Sequence, residues 1–196
     1  MRGCGDNRRM RQRPRFYPAL PRRFRARPVL LLGCGDVGTR IARHLLAQGL
    51  RVIGTVRSAD KAQALRAIGV AVLRVDLDTR DTRRLGGLAD RLIHLAPPPA
   101  EGSGDPRLGR LLAAIGAAHA ARPTTRRSRL VAPPRQPRRP RWVYISTTGV
   151  YGDAAGAVFD ETRPVAPGTA RAIRRVAAER LWRASTRSRL APIASV

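Results

Sequence analysis

The sequence contains a single lysine, Lys61, so arginine supplies almost all of its 39 basic residues; against only 13 acidic residues this leaves a formal net charge of +26. Aromatic residues are also scarce, at 4% of the chain. Nucleic-acid-binding surfaces commonly mix Lys with Arg and interleave aromatics for base stacking. The shortages argue against selected nucleic-acid recognition and leave only non-specific attraction to polyanions through the Arg tracts. The charge is also confined to three stretches. Residues 1–27 carry ten Arg against one Asp, residues 122–141 eight Arg and no acid, and residues 171–189 seven Arg against one Glu. Together they hold +23 of the total, so the rest of the chain is close to neutral. An Arg- and Ala-rich bias of this kind fits a GC-rich coding sequence better than a selected binding surface.

Cysteine is limited to Cys4 and Cys34, which excludes a disulfide framework and a cysteine metal cluster and suits a reducing cytoplasm. His44, His94 and His119 are scattered and read as packing or surface residues, so no metal site is expected. No run of about 20 apolar residues is present, so no membrane span is expected. The basic first residues are not followed by an apolar segment and cleavage site, which argues against a secretory signal. A length of 196 residues fits one domain with a real core.

Within that frame one stretch stands out, Val29-Leu30-Leu31-Leu32-Gly33-Cys34-Gly35-Asp36-Val37-Gly38. It reads as a buried strand, a G-x-G-x-x-G turn and the opening of a helix. Such a turn presents backbone N–H groups and a positive helix end to a pyrophosphate. Gly33 allows the tight turn, Gly35 clears the backbone for the phosphates, and Gly38 lets the helix pack closely on the strand. A plain strand–helix turn is the alternative; the strand before and helix after favour dinucleotide binding.

Residues 1–27, proline-bearing and without periodicity, read as a disordered basic arm. From Pro28 onward strands and helices alternate. The pattern predicts strands over about 29–32, 51–56, 70–75, 91–96 and 142–146, and helices over about 37–48, 58–68, 106–121 and 169–184. Ser58 caps the second helix and Pro106 fits the first turn of the third. Residues 122–141, rich in Pro and Arg, read as a disordered insertion, and Leu190–Ser195 could begin a sixth strand. The alternation predicts an α/β fold: a Rossmann-type, doubly wound parallel sheet with helices on both faces, occupying residues 28–196.

Dinucleotide folds often carry an acid about 20 residues past the glycines, where it meets the adenosine ribose. Here the second strand ends Gly54-Thr55-Val56-Arg57-Ser58 with no acid. Arg57 would meet a 2′-phosphate and Ser58 could donate to it, which favours NADP, with NAD as the alternative; Arg57 otherwise reads as a solvated loop arginine. Asp76 is placed for the adenine edge, or else is a strand-end turn residue.

The Gly33–Gly38 turn, Asp76-Leu77, Leu92-Ile93-His94-Leu95-Ala96, Tyr144-Ile145-Ser146-Thr147-Thr148-Gly149-Val150-Tyr151-Gly152, Asp160-Glu161-Thr162-Arg163-Pro164 and Ala177-Ala178-Glu179-Arg180 occur in an order that resembles the extended short-chain dehydrogenase/reductase group, the NAD-dependent epimerase/dehydratase family. The resemblance implies cofactor contacts from Gly33, Cys34, Gly35, Asp36, Val37, Gly38, Arg57, Ser58, Asp76, Leu77, Leu95 and Ala96. It also implies a Ser/Thr–Tyr–Lys active site, in which a phenol moves the proton, a Lys lowers its pKa and a hydroxyl orients the substrate. The hydroxyl position falls on Thr147, the Tyr position on Arg171 and the Lys position on Arg175. Arg cannot act as a general acid–base, because it keeps its proton at any working pH. Arg175 could still donate to a nicotinamide ribose, and Tyr151 and Tyr144 are the remaining phenols nearby.

Family members also place about another hundred residues after this helix, so the resemblance reads the chain as truncated, with the substrate lobe largely missing. The expectation is an NAD(P)-binding, oxidoreductase-type scaffold for a carbonyl or sugar-nucleotide-like substrate, with a catalytically silent cofactor-binding sensor or scaffold as the alternative. An Arg-rich nucleic-acid-binding protein is the weakest of the three readings. A homodimer stays open.

Overall fold

The computed structural model describes residues 28–79, 91–120, 141–187 and 193–195, together with Thr82, Leu85, Leu88 and Ala89. The expected basic arm at 1–27 lies outside the described residues, as does the expected insertion apart from Arg141, which opens a strand.

The strands are β1 (Val29–Leu32), β2 (Val52–Val56), β3 (Ala71–Arg74), β4 (Arg91–His94), β5 (Arg141–Tyr144) and β6 (Ile193–Ser195). The helices are α1 (Asp36–Ala47), α2 (Ala59–Ala67), α3 (Pro106–Ala120) and α4 (Ala170–Arg187), with a 3₁₀ turn over Thr148–Tyr151. All paired strands are parallel and the sheet order is β3-β2-β1-β4-β5-β6. The order reverses at β1, which lies between β2 and β4. That is the doubly wound arrangement, whose crevice opens outside the carboxyl ends of the strands at the reversal.

Burial on both faces explains the continuous apolar run of β1. Val29 and Leu31 point into a core with Ala42, Val52, Ala62 and Leu65, under α1 and α2. Leu30 and Leu32 point the other way, into a core with Leu92, Leu108, Leu111, Trp142, Tyr144 and Trp182, under α3 and α4. The side-chain period of two thus feeds two cores from one strand.

Helix ends follow local chemistry. The Ser58 hydroxyl accepts from the Lys61 N–H at 3.3 Å and starts α2. After α1, the N–H groups of Gly49 and Leu50 turn back to the carbonyls of Leu46 and Leu45 at 2.8 and 3.0 Å, closing the helix. The buried Asp105 carboxylate accepts from the Leu108 N–H at 3.0 Å and caps α3, with Pro106 in its first turn.

Strand ends differ from the sequence expectation where the chain leaves the ladder. β4 stops at His94 rather than Ala96, because the N–H groups of Leu95 and Ala96 both converge on the Leu32 carbonyl, at 2.8 and 3.0 Å. β5 stops at Tyr144 rather than Ser146, and α4 runs three residues past its expected end to Arg187. Among the described residues no helix is long and apolar enough to cross a membrane.

Candidate functional site

The glycine turn is set by backbone geometry. Leaving β1, Gly33 takes φ +85°, a left-handed conformation that a side chain resists. A Cβ there would also lie 2.8 Å from the Ala96 backbone, so the chain just after β4 leaves no room for a side chain. The Gly33 N–H donates to the Thr55 hydroxyl at 2.9 Å and the Cys34 N–H to the Thr55 carbonyl at 2.9 Å, which pins the turn to β2. Gly35 then precedes α1, which has no side-chain cap. Among the described residues, a Cβ on Gly35 would meet nothing within 4 Å. On Gly38 it would press on Leu95, Cys34 and the Gly33 carbonyl at 3.2 to 3.4 Å, so this glycine serves packing.

Cys34 is buried between Gly38 and Gly54; a Cβ on Gly54 would stand 2.9 Å from its sulfur. Burial pushes the Cys34 thiol up to about 11, partly offset by the backbone contact with Thr55. It is a protonated packing residue at neutral pH, not a reactive thiolate.

The turn floors a cleft of about 440 Å³ at the carboxyl ends of β1 to β4. Of the residues expected to contact a cofactor, Gly33, Cys34, Gly35, Arg57, Ser58, Asp76, Leu77, Leu95 and Ala96 line this one space. Asp36, Val37 and Gly38 do not; Asp36 is exposed and ion-paired with Arg40 at 3.0 Å, and the Val37 side chain is exposed too. The walls also include Thr55, Val56, Lys61, Val75, Pro97 and Arg107, none of which the sequence reading placed against a cofactor. Arg57, Ser58, Lys61 and Arg107 give the cleft cations and a hydroxyl, against one carboxylate from Asp76. Among the described residues no three His, Cys, Asp or Glu side chains gather to hold a metal.

The residues at the expected catalytic positions lie elsewhere. Thr147 is exposed just before the 3₁₀ turn, against which α4 packs. Tyr151 ends that turn, its ring 5.0 Å from Phe159 in an edge-on contact, and Arg163 stacks over Phe159 at 4.4 Å. Arg171 is exposed on α4.

Arg175, which the sequence reading left free to donate to a ribose, is instead buried. Its Nη1 donates to the Tyr144 hydroxyl at 2.8 Å and to the Ile145 carbonyl at 3.1 Å. One turn later Glu179, also buried, accepts from the Ser146 hydroxyl. Helix α4 thereby grips three consecutive residues at the end of β5. Burial raises the Tyr144 phenol above its ordinary range, against the lowering pull of Arg175.

His94 lies beside this pair, its ring 5.4 Å from that of Tyr144 and 6.4 Å from that of Trp182, and its Nδ1 has no hydrogen-bond partner. Burial, aided by the Arg175 charge, pushes the imidazole from its ordinary 6.5 down to about 3. The unfolded chain therefore binds a proton that the folded chain refuses across that window. The His94 contribution to stability is full above about pH 6.5 and is lost as pH falls, by about 1.4 kcal/mol per unit, levelling near pH 3. Urea unfolding should show the parent losing about 2 kcal/mol more than His94→Phe between pH 7 and pH 5, whatever the offset between the two at pH 7. Parallel pH profiles would assign the acid sensitivity to other groups.

Residues 29–195 match the NAD dependent epimerase/dehydratase family. No curated protein matches the chain. Among solved structures, a functionally unknown conserved protein from Silicibacter pomeroyi DSS is 33% identical, with TM-score 0.59 over 82% of this chain and 50% of that one. UDP-glucuronic acid 4-epimerase from Bacillus cereus, solved with UDP-glucuronic acid and NAD, is 20% identical, with TM-score 0.61 over 84% of this chain and 54% of that one. A short-chain dehydrogenase/reductase superfamily protein from Agrobacterium tumefaciens with bound NAD is 19% identical, with TM-score 0.60 over 83% of this chain and 46% of that one. This chain thus spans about half the length of these solved relatives. The two more distant ones share the fold.

Proposed function

This chain belongs to the NAD-dependent epimerase/dehydratase family, and on that premise we propose that its cleft holds a nicotinamide adenine dinucleotide, with the pyrophosphate over Gly35 and the start of α1. The observation that carries this reading is the contrast between two glycines in one turn. Gly33 is glycine because Ala96 crowds it, whereas among the described residues nothing approaches within 4 Å of the Cβ position of Gly35. Packing therefore accounts for the first glycine and not for the second, whose open position faces the cleft that it lines, where a side chain would stand in the way of a ligand. A cleft of about 440 Å³ falls within the roughly 300–1,000 Å³ common for small-molecule sites.

The same reading favours NADP over NAD. The exposed Arg57 and Ser58, with Lys61 beside them on the cleft wall, supply cations and a hydroxyl where an NAD-selective site would carry an acid. Calorimetric titration of NADPH and NADH against the parent and Arg57→Ala tests both points. Arg57→Ala should weaken NADPH by about 1.5–3 kcal/mol, the range for a charge-assisted bond, and leave NADH nearly unchanged. Equal losses, or none, would reduce Arg57 to a solvated loop residue. A parent that binds neither cofactor would remove the function.

A bound nicotinamide supplies a hydride donor or acceptor. Of the chain's own residues, Thr147 offers an exposed hydroxyl to orient a substrate oxygen, and the family points to a carbonyl or sugar-nucleotide-like substrate. A second reading, cofactor binding without turnover in a sensor or scaffold, is favoured by one specific observation. Arg171 stands at the phenol position, and Arg175, at the lysine position, is turned inward to Tyr144 and Ile145.

A further inference from the structure

The wall of the cleft beyond β3 is braced from a distant helix. Asp76 and Leu77 line the cleft as the chain leaves β3. The loop turns on itself there: the Asp78 N–H donates to the Asp76 carboxylate at 3.0 Å, and the Thr79 hydroxyl donates to the Asp76 carbonyl at 2.8 Å. Two arginines one turn apart on α3 then hold it. Arg107 donates through Nε and Nη2 to the two carboxylate oxygens of Asp78, and its Nη1 reaches the Pro97 carbonyl at 3.4 Å. Arg110 donates through Nη2 to the carbonyls of Leu77 and Asp78, at 3.2 and 3.1 Å. Arg107 and Pro97 are themselves on the cleft wall, so one guanidinium ties the loop after β3 to the loop after β4. The bond from Arg107 holds the Asp78 carboxyl below its usual range, which keeps the pair ionised in mild acid.

We propose that Arg107 and Arg110 are positioning residues for the adenosine half of the dinucleotide, fixing the Asp76–Asp78 loop as a preformed wall for an adenine nucleotide. The assignment of halves comes from the sheet order. The loop after β3 neighbours the Arg57–Ser58 end of β2, while Thr147 follows β5 on the other side of β1. The proposal rests on the dinucleotide reading above. Its physical basis is preorganisation: a loop already held in place does not have to be ordered when the ligand arrives. The Arg107–Asp78 pair is partly exposed, with 18% and 46% of the two side chains accessible, so it adds little to global stability. A role in ordering the loop therefore separates from a role in holding the fold.

The experiment is calorimetry with 5′-AMP, nicotinamide mononucleotide and NADPH on the parent chain, Arg107→Met, Arg107→Lys and Arg110→Met. Arg107→Met should weaken 5′-AMP and NADPH about tenfold, with nicotinamide mononucleotide and the melting temperature almost unchanged. Arg107→Lys should recover part of the loss, and Arg110→Met should show the same ligand selectivity. Unaltered 5′-AMP affinity in Arg107→Met, or a loss shared equally by nicotinamide mononucleotide, would overturn the proposal. Should Arg107→Met fail to fold, Asp78→Ala breaks the same pair from its more exposed side, and undiminished 5′-AMP binding there would overturn it as well. A parent that binds neither 5′-AMP nor NADPH would overturn the dinucleotide reading itself. Tight parent binding with indifferent variants would overturn only the brace.

Discussion

Gly35→Val should lower dinucleotide affinity by at least about 100-fold, close to 3 kcal/mol, while leaving the chain folded. Gly35 lies at φ −81° and ψ −150°, an extended conformation without positive φ, and among the described residues nothing comes within 4 Å of its Cβ position. A branched side chain there strains nothing in the chain, but it fills the space through which a pyrophosphate would reach the N–H groups at the start of α1. Circular dichroism should be unchanged while calorimetry loses its signal. Gly33→Ala is the opposite case, since a Cβ would meet the Ala96 backbone at 2.8 Å with φ at +85°. That variant should lose stability first and binding only as a consequence. Undiminished NADPH affinity in Gly35→Val would take the pyrophosphate out of this turn.

The second large effect concerns rate. With NADPH or NADP bound, turnover should be about 10²–10⁴-fold below that of a site with a positioned phenol, the usual contribution of a general acid–base. A guanidinium is no general acid–base at working pH, so an arginine at the phenol position does not replace the phenol. Tyr144 is fully buried with its hydroxyl bonded to Arg175, and the Tyr151 ring packs against Phe159. Thr147, in the role proposed above, would orient a substrate oxygen without supplying the proton. Single-turnover assays following nicotinamide absorbance, with simple carbonyls and nucleotide sugars, measure this directly. Fast turnover that disappears in Tyr151→Phe would make Tyr151 the proton donor and return the chain to ordinary reductase chemistry.

Much of this fold was legible because β1, β4 and their neighbours write burial into short apolar runs, and because Ser58, Pro106 and Gly49 mark helix ends by local chemistry. The doubly wound sheet and the family followed from ordered motifs. Contacts between residues far apart in sequence were not legible. Gly54 looked like an ordinary strand residue, yet it makes room for the Cys34 sulfur. Arg107 was one arginine among many; its place beside Asp78 depends on where α3 begins relative to the loop after β3.

Arg175 did leave a signal. Ala172, Arg175, Val176, Glu179 and Trp182 are all buried and recur at helical spacing, so the arginine shares a stripe with the core. In a segment this rich in Arg the stripe does not stand out, and the resemblance set Arg175 against a nicotinamide ribose instead. The 3₁₀ turn at Thr148–Tyr151 was missed because four residues carry too short a pattern to show a period.

The position of β1 between β2 and β4 also governs how the molecule assembles. Val29 pairs with Val52 on one side and with Arg91 on the other, so one edge of β1 closes over a short loop of chain and the other over a much longer one. The longer closure costs more entropy, so pairing of β4 with β1 is expected to follow that of β2. The floor of the cleft comes from the early-pairing partners and its remaining wall from Leu95, Ala96, Pro97 and Arg107, which arrive only with the late one. A ligand that needs both sides can recognise only the completed sheet. It would act on folding chiefly by slowing the escape of β4 from β1, so that unfolding rates, more than folding rates, would report its presence.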